Sequence, residues 1–314
     1  MALNLFPWLR GNGAARRNGL PPLPDLGADG PKTLMAIMAH PDDIDFSSAG
    51  SIARWCAEGW TVYYVLATSG DKGTHEGYSR QELAAMREQE QRDAAAILGV
   101  KEVIFLGYPD GFLEPTAELR GQIVRLLRKY RPDVVLTWDG FRRGFNHIDH
   151  RNIGIATRDA IYPAVRDHLY YAEHAAEGLE AVQVNEMLLA GAEDPDYFVD
   201  ISGYIETKVD AILAHRSQVS TRNRDDMLRN YRERGLQAGR RNPSAGPSRA
   251  SGGTSGRSPS AGSGRSSGGP LVRGTFESFK RVRIGRPPRQ GQTQEAPAAV
   301  HGEPAPVGAA ASRP

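Results

Sequence analysis

Thr33-Leu34-Met35-Ala36-Ile37-Met38-Ala39-His40-Pro41-Asp42-Asp43 passes without a break from an apolar run into a cluster of imidazole and carboxylates. An uninterrupted run of this kind reads as a strand buried on both faces, as in parallel sheets. Its ionisable residues fall where the strand ends, and ligands of open α/β sheets bind at the carboxyl ends of the strands. Alone, His40-Pro41-Asp42-Asp43 reads equally as a strand-terminal turn with Asp43 capping the next helix. A second cluster changes the balance. Asn146-His147-Ile148-Asp149-His150 follows another apolar run, residues 132–138 (PDVVLTW), across a loop. Turn chemistry does not account for two His/Asp clusters at one end of one sheet. A catalytic zinc takes three ligands from His and carboxylate and keeps a position open for water. These clusters supply that set with a carboxylate to spare, so the residues point to a metal-dependent hydrolase.

Outward from these clusters the chain alternates short apolar runs with helical stretches. Strands are expected at 33–39, 60–68, 101–106, 132–138, 182–190 and 197–201. Helices are expected at 46–58, from Ser79 to about Leu98, and at 116–130, 152–164, 205–215 and 225–234. Ser79 with Glu82 forms a capping box, and Gly59 and Gly99 fit helix C-termini. This βαβ alternation predicts an α/β fold, a Rossmann-like, mostly parallel sheet with helices on both faces, in one domain. Gly70 and Gly73 do not make the phosphate-binding fingerprint, which argues against a dinucleotide site.

The formal net charge of +2 hides a division. Residues 1–235 carry net −7, whereas 236–314 carry net +9 among Gly, Ser, Arg, Pro and Ala. The expected organisation is an N-terminal extension over 1–30 and a folded domain over 31–239. A disordered Ser/Gly/Arg-rich insertion over 240–270 follows, since such composition cannot offset its ordering entropy. Residues 271–285 bring back Phe276, Phe279, Val282 and Ile284 and should dock on the domain, with 286–314 again a disordered tail. The basic stretch has almost no interleaved aromatics for base stacking, so a linker fits it better than a polyanion-binding arm. The chain's one cysteine, Cys56, sits among Ile52, Ala53 and Trp55 and reads as a core thiol. No apolar stretch approaches the roughly 20 residues of a membrane span, and residues 1–31 lack a signal-peptide pattern, so the expected location is the cytoplasm.

The two clusters together resemble the PIG-L/LmbE-like metal-dependent de-N-acetylases. Further matches are Thr68-Ser69-Gly70-Asp71, Arg87 with Glu90, Gly107-Tyr108-Pro109-Asp110-Gly111, Val199-Asp200-Ile201-Ser202, Lys208, His215-Arg216-Ser217-Gln218 and Glu277-Ser278-Phe279. The resemblance implies zinc, or another divalent metal such as Fe2+, on His40, Asp43 and His150. It implies Asp42 as general base, His147 beside the scissile carbonyl, and Asp149 as the carboxylate partner of His147. Arg87 and Asp110 match positions lining the sugar cleft. The implied activity is removal of an N-acetyl group from an N-acetylglucosamine-type substrate, a small N-acylated amino sugar. The alternatives are an amidase acting on a larger acyl or thiol conjugate and, in another class, a polyanion-binding protein working through the basic tail. No oligomeric state is implied.

Each role has a physical reason. Zinc held by two imidazoles and a carboxylate acidifies water, an adjacent carboxylate takes the proton, and a nearby donor steadies the oxyanion. Two features depart from the family pattern. Ile44 and Asp45 follow the first cluster where many relatives have Glu, and Phe145 stands where some carry a tyrosine. His75 is expected to be a solvated loop residue, His168 and His174 surface residues, and His215 a structural contact.

Overall fold

The computed structural model describes residues 25–73, 77–144, 146–242 and 274–284. Thus His75, Phe145, most of the N-terminal extension, 243–273 and the tail from 285 lie outside the described residues. A seven-stranded sheet forms the centre. Its strands are β1 (Thr33–Met38), β2 (Thr61–Thr68), β3 (Glu102–Tyr108), β4 (Val134–Trp138), β5 (Glu186–Ala190), β6 (Tyr197–Asp200) and β7 (Phe276–Arg283). They lie in the order β3-β2-β1-β4-β5-β7-β6. The first five are parallel, and β7 runs antiparallel to both β5 and β6.

The apolar run of β1 is explained by burial on two faces. Leu34, Ala36 and Met38 pack with helices α1 (Asp43–Ala57), α2 (Arg80–Leu98) and α5 (Ile205–Ala214). Met35 and Ile37 face α3 (Ala117–Tyr130) and α4 (Ile148–Ile161) on the other side. Helices α6 (Arg216–Val219) and α7 (Arg224–Arg241) pack beside α5. The chain leaves β1 toward β2 and β3, then returns to β4 on the opposite side of β1. The carboxyl ends of β1 and β4 therefore flank a topological switch point. Both His/Asp clusters sit there.

Strand β5 begins at Glu186 and α1 at Asp43, instead of at 182 and 46, and three further boundaries differ from expectation for identifiable reasons. Helix α4 starts at Ile148, inside the second cluster, because His147 is its N-cap. It stops at Ile161, where Tyr162 precedes Pro163 and is steered away from helical backbone. Helix α7 continues through Gly235 to Arg241. A Cβ on Gly235 would meet Thr275 at 2.1 Å, so this glycine permits close approach of α7 to the chain entering β7. Another close approach places α4: a Cβ on Gly154 would stand 2.4 Å from the carbonyl of Trp138, at the end of β4.

Strand β7 lies inside the sheet, joining β6 to β5. Phe279 is fully buried beside Trp55, worth about 1.5–3 kcal/mol for such a side chain. Val282 and Ile284 pack on the second core, and Phe276 is half-buried. Glu277 accepts hydrogen bonds from the backbone N–H of Gly50 and Ser51, from Ser51 Oγ, and from Lys208 Nζ at 2.6 Å. Cys56 packs against the first core, and burial pushes its thiol up to about 11. His174, expected at the surface, is buried against Tyr171 and Arg128. Among the described residues, no helix is long and apolar enough to cross a membrane.

Candidate active site

Asp43 opens α1 and is buried. Its Oδ2 accepts from the backbone N–H of Ala39 and His40 and from Trp138 Nε1, at 3.2, 2.9 and 3.1 Å. Those donors leave Oδ1 facing His150 Nε2 at 3.0 Å. Burial would raise this carboxyl, but hydrogen bonds from His150 and His40 hold it well below the usual carboxylate range.

His40, at the end of β1, uses its two ring nitrogens differently. Nδ1 lies 3.2 Å from His150 Nε2 and 3.5 Å from Asp43 Oδ2. Nε2 faces Asp149 Oδ2 at 3.0 Å and Asp110 Oδ1 at 3.1 Å. Two carboxylates on Nε2 hold a proton there, so Nδ1, directed at His150 and Asp43, is the nitrogen that would give up its proton to a cation. Burial works against a charged imidazole, yet Asp110, Asp149 and Asp43 together raise His40 to about 11. The pocket is therefore built to stabilise positive charge.

Asp149 is fully buried. Besides His40 it receives Gly111 N–H on Oδ2 at 2.7 Å and Leu113 N–H on Oδ1 at 3.1 Å. The expectation that its carboxylate partners His147 is corrected: its side chain grips His40, and only its backbone N–H reaches His147 Nδ1, at 3.2 Å. That bond makes Nδ1 of His147 an acceptor, so the neutral ring carries its proton on Nε2. Burial, followed by the charges of His40 and His150, lowers the His147 pKa. Its ring stands edge-on to His40 with centroids 4.9 Å apart, and the ring of His150 lies flat on Trp138 at 4.6 Å.

Asp42 is strained, with φ 83° and ψ −26° at a non-glycine residue. Such backbone costs about 1–3 kcal/mol and persists only where its surroundings fix it. Its N–H donates to Gln91 Oε1 at 2.8 Å, and its carbonyl accepts from Phe46 N–H. Arg87 holds both the Pro41 carbonyl, at 2.9 Å, and Asp42 Oδ2, at 3.2 Å. Burial raises the Asp42 carboxyl to about 6, with Arg87 opposing and Asp43 reinforcing the shift.

Arg87 and Asp110, matched in sequence to the lining of a cleft, are both buried. The Arg87 guanidinium also binds the Gly70 carbonyl at 3.0 Å. Asp110 Oδ2 accepts Lys72 N–H, and its carbonyl accepts Lys72 Nζ. Their groups thus join the loops after β1, β2 and β3. Sequence reading misses Trp138 and Gln91. A signal exists for Gln91: Arg87, Glu90 and Gln91 share the buried face of α2, where polar side chains need partners.

Two imidazoles and a carboxylate form a triangle of residues whose nearest ligand atoms lie 3.0–3.5 Å apart, pair by pair. Tetrahedral ligands with bonds of about 2.0–2.1 Å stand roughly 3.3–3.4 Å apart. Asp43 contributes Oδ1 to one edge and Oδ2 to another, so a small turn of its carboxylate lets His40, Asp43 and His150 close on a divalent cation. His147 lies close enough to join the two imidazoles, and His40, Asp110 and Asp149 form a second convergent group. In the second group the Nε2 proton of His40 already serves both carboxylates. Trp138 hydrogen-bonds Asp43 and Asp149 hydrogen-bonds His40, the kind of outer contact that would orient these groups toward a cation.

The sequence profile described as "PIG-L: GlcNAc-PI de-N-acetylase" matches residues 35–161. Diacetylchitobiose deacetylase of Thermococcus kodakarensis is 36% identical over 188 residues, spanning 60% of this chain and 70% of that protein. The 1D-myo-inositol 2-acetamido-2-deoxy-alpha-D-glucopyranoside deacetylase of Actinosynnema mirum is 28% identical over 235 residues, covering 60% and 82%. Among solved structures, N,N'-diacetylchitobiose deacetylase from Pyrococcus horikoshii superposes with a TM-score of 0.65 at 27% identity, covering 80% of this chain and 84% of that one.

Proposed function

Because the chain belongs to the PIG-L family, a family of amide-bond hydrolases, we propose that it is a metal-dependent deacetylase releasing acetate from an N-acetylglucosamine-type sugar. The observation that carries this reading is the triangle of His40 Nδ1, the Asp43 carboxylate and His150 Nε2, with Asp42 beside it. His40, Asp43 and His150 would hold the ion, with zinc the first candidate. Bound there, it supplies Lewis acidity that polarises the acetamide carbonyl and acidifies water.

The chain's own residues do the rest. Asp42, held by Arg87 beside the site, takes a proton from the attacking water and later passes it to the leaving amine nitrogen. His147, with Nδ1 committed to the Asp149 N–H, presents Nε2–H to the oxyanion as the carbonyl becomes tetrahedral. The products are acetate and a free amine, so atoms and protons balance. Phe112 is 71% exposed between the two N–H groups that bind Asp149, with Lys72 Nζ 5.5 Å from its ring centre. This ring would stack on a sugar beyond the acetamide, and Phe112→Ala should then raise KM more for disaccharides than for monosaccharides.

The test is amine release from N-acetylglucosamine, N,N'-diacetylchitobiose and N-acetylglucosaminyl-inositol, before and after chelation and metal return. Deacetylation abolished by chelation and restored by metal supports the reading. Full activity in stripped protein, or release only of larger acyl groups, overturns it.

A further inference from the structure

A polar thread crosses the apolar layer between α2 and α5. His215 Nε2 lies 2.8 Å from Asp45 Oδ2, and Gln91 Nε2 donates to the same oxygen at 2.7 Å. Gln91 Oε1 then accepts the N–H of Asp42 at 2.8 Å. Asp45, Gln91 and His215 are all fully buried. Replacing buried charged groups by apolar ones of similar volume is often neutral or stabilising, so stability alone does not call for this thread. It ends on the residue whose left-handed backbone aims the spare carboxylate of the site.

Gln91 suits this place because an amide can do two opposite things. It must accept from Asp42 N–H and donate to the Asp45 carboxylate, and flipping it would set donor against donor and acceptor against acceptor. Asp45 therefore selects the amide orientation, and His215 holds Asp45. We propose that Gln91, oriented by the Asp45–His215 pair, is a positioning residue for the general base Asp42. This rests on the deacetylase reading for its catalytic consequence, though not for its geometry. Asp45, standing where the sequence departs from its family's usual continuation, thereby acquires a role.

The test uses full-length metal-loaded protein and three variants. Q91M keeps the volume and removes both hydrogen bonds. Q91E keeps the acceptor for Asp42 but sets a carboxylate against Asp45. Q91E/D45N exchanges amide and acid along the thread. The amide at position 45 then sets its NH2 where Asp45 Oδ2 stood, giving one hydrogen to the carboxylate at position 91, which also accepts from the Asp42 N–H, and the other to Nε2 of a neutral His215. Q91M and Q91E should lose about 10²-fold in kcat, the scale of a 1 Å misplacement, with KM and metal content little changed. The exchanged pair should recover most of that loss. Amide hydrogen exchange at Asp42 should speed up in Q91M and slow again in the exchanged pair.

Wild-type kcat in Q91M, or a loss the exchange does not rescue, overturns the proposal. A kcat loss matched by loss of metal also overturns it. Should Q91M not fold, Q91E set against Q91E/D45N decides. If wild-type protein is inactive on every N-acetylated sugar, the functional reading fails by itself. Hydrogen exchange then decides the positioning, and unchanged Asp42 protection in the variants refutes it.

Discussion

Asp149 touches two histidines with two different groups: its carboxylate lies 3.0 Å from His40 Nε2, and its backbone N–H lies 3.2 Å from His147 Nδ1. The first contact holds a proton on His40 Nε2, which leaves Nδ1 as the nitrogen for the proposed metal. The second keeps the proton of His147 on Nε2 and frees it for a substrate oxygen. One residue thus sets both tautomers.

Substituting Asp149→Asn separates these contacts. The backbone bond to His147 survives, but one oxygen must replace two among three donors, His40, Gly111 and Leu113. Removing an outer hydrogen bond to a metal ligand costs about 10–100-fold in affinity. Metal affinity measured by chelator competition should fall in that range. Unchanged affinity would show that His40 does not depend on Asp149.

Asp42→Asn should keep the metal while lowering kcat by about 10²–10⁴, the range for a positioned acid–base group. His147→Ala should likewise retain metal with a loss of similar order. His150→Ala should shed the metal yet remain folded, as judged by elemental analysis and circular dichroism. Metal release by Asp42→Asn would make Asp42 a ligand instead.

Much of this is legible in the sequence because the signals are local. The run Leu34–Met38 is apolar on every side, so its burial on two faces follows from composition, and the Ser79/Glu82 capping box is visible in four residues. Less legible are features made by distant partners. Sequence proximity assigns Asp149 to His147, although its side chain turns to a histidine 109 residues earlier. The start of α4 escapes sequence reading because an imidazole serves as N-cap, a role ordinarily filled by Ser, Thr, Asp or Asn. The family resemblance matches Arg87 to a cleft lining, while its guanidinium is held by carbonyls of three loop residues, partners that lie far from it in sequence.

The buried His215 offers a pH test. Burial lowers its pKa, but the Asp45 hydrogen bond and charge outweigh this and the net shift is upward. A raised folded pKa stabilises most below the unfolded value, about 6.5, and that contribution is lost as pH rises through the folded value. H215Q can still donate to Asp45 but cannot titrate. Urea midpoints should separate wild type from H215Q most at about pH 5–6 and converge at alkaline pH. A gap that widens with rising pH would reverse the sign and refute the pairing.

The last prediction concerns the return of the chain after residue 273. Strand β7 bonds to both β5 and β6, and Glu277 reaches from it to the N–H groups of Gly50 and Ser51 and to Lys208. Lys208 Nζ also holds the carbonyl of Phe46, in the first turn of α1, the helix that begins at Asp43. Both members of the ion pair are nearly enclosed, with side chains 3% and 6% exposed. Removing one partner of such a pair costs about 3–5 kcal/mol, because the other charge stays buried and unpaired. Glu277→Ala should therefore lower the urea midpoint sharply, and Lys208→Met in the same chain should recover part of that loss. Ending the chain at residue 273 should be worse still, since β6 then loses its only strand neighbour among the described residues. Excising 243–273 behind a linker long enough to join α7 to β7 should leave stability and turnover close to wild type. Loop-closure cost changes only with the logarithm of length, so shortening this connection matters little. A truncated 1–273 chain melting with the full-length protein would show that β7 contributes nothing to the sheet.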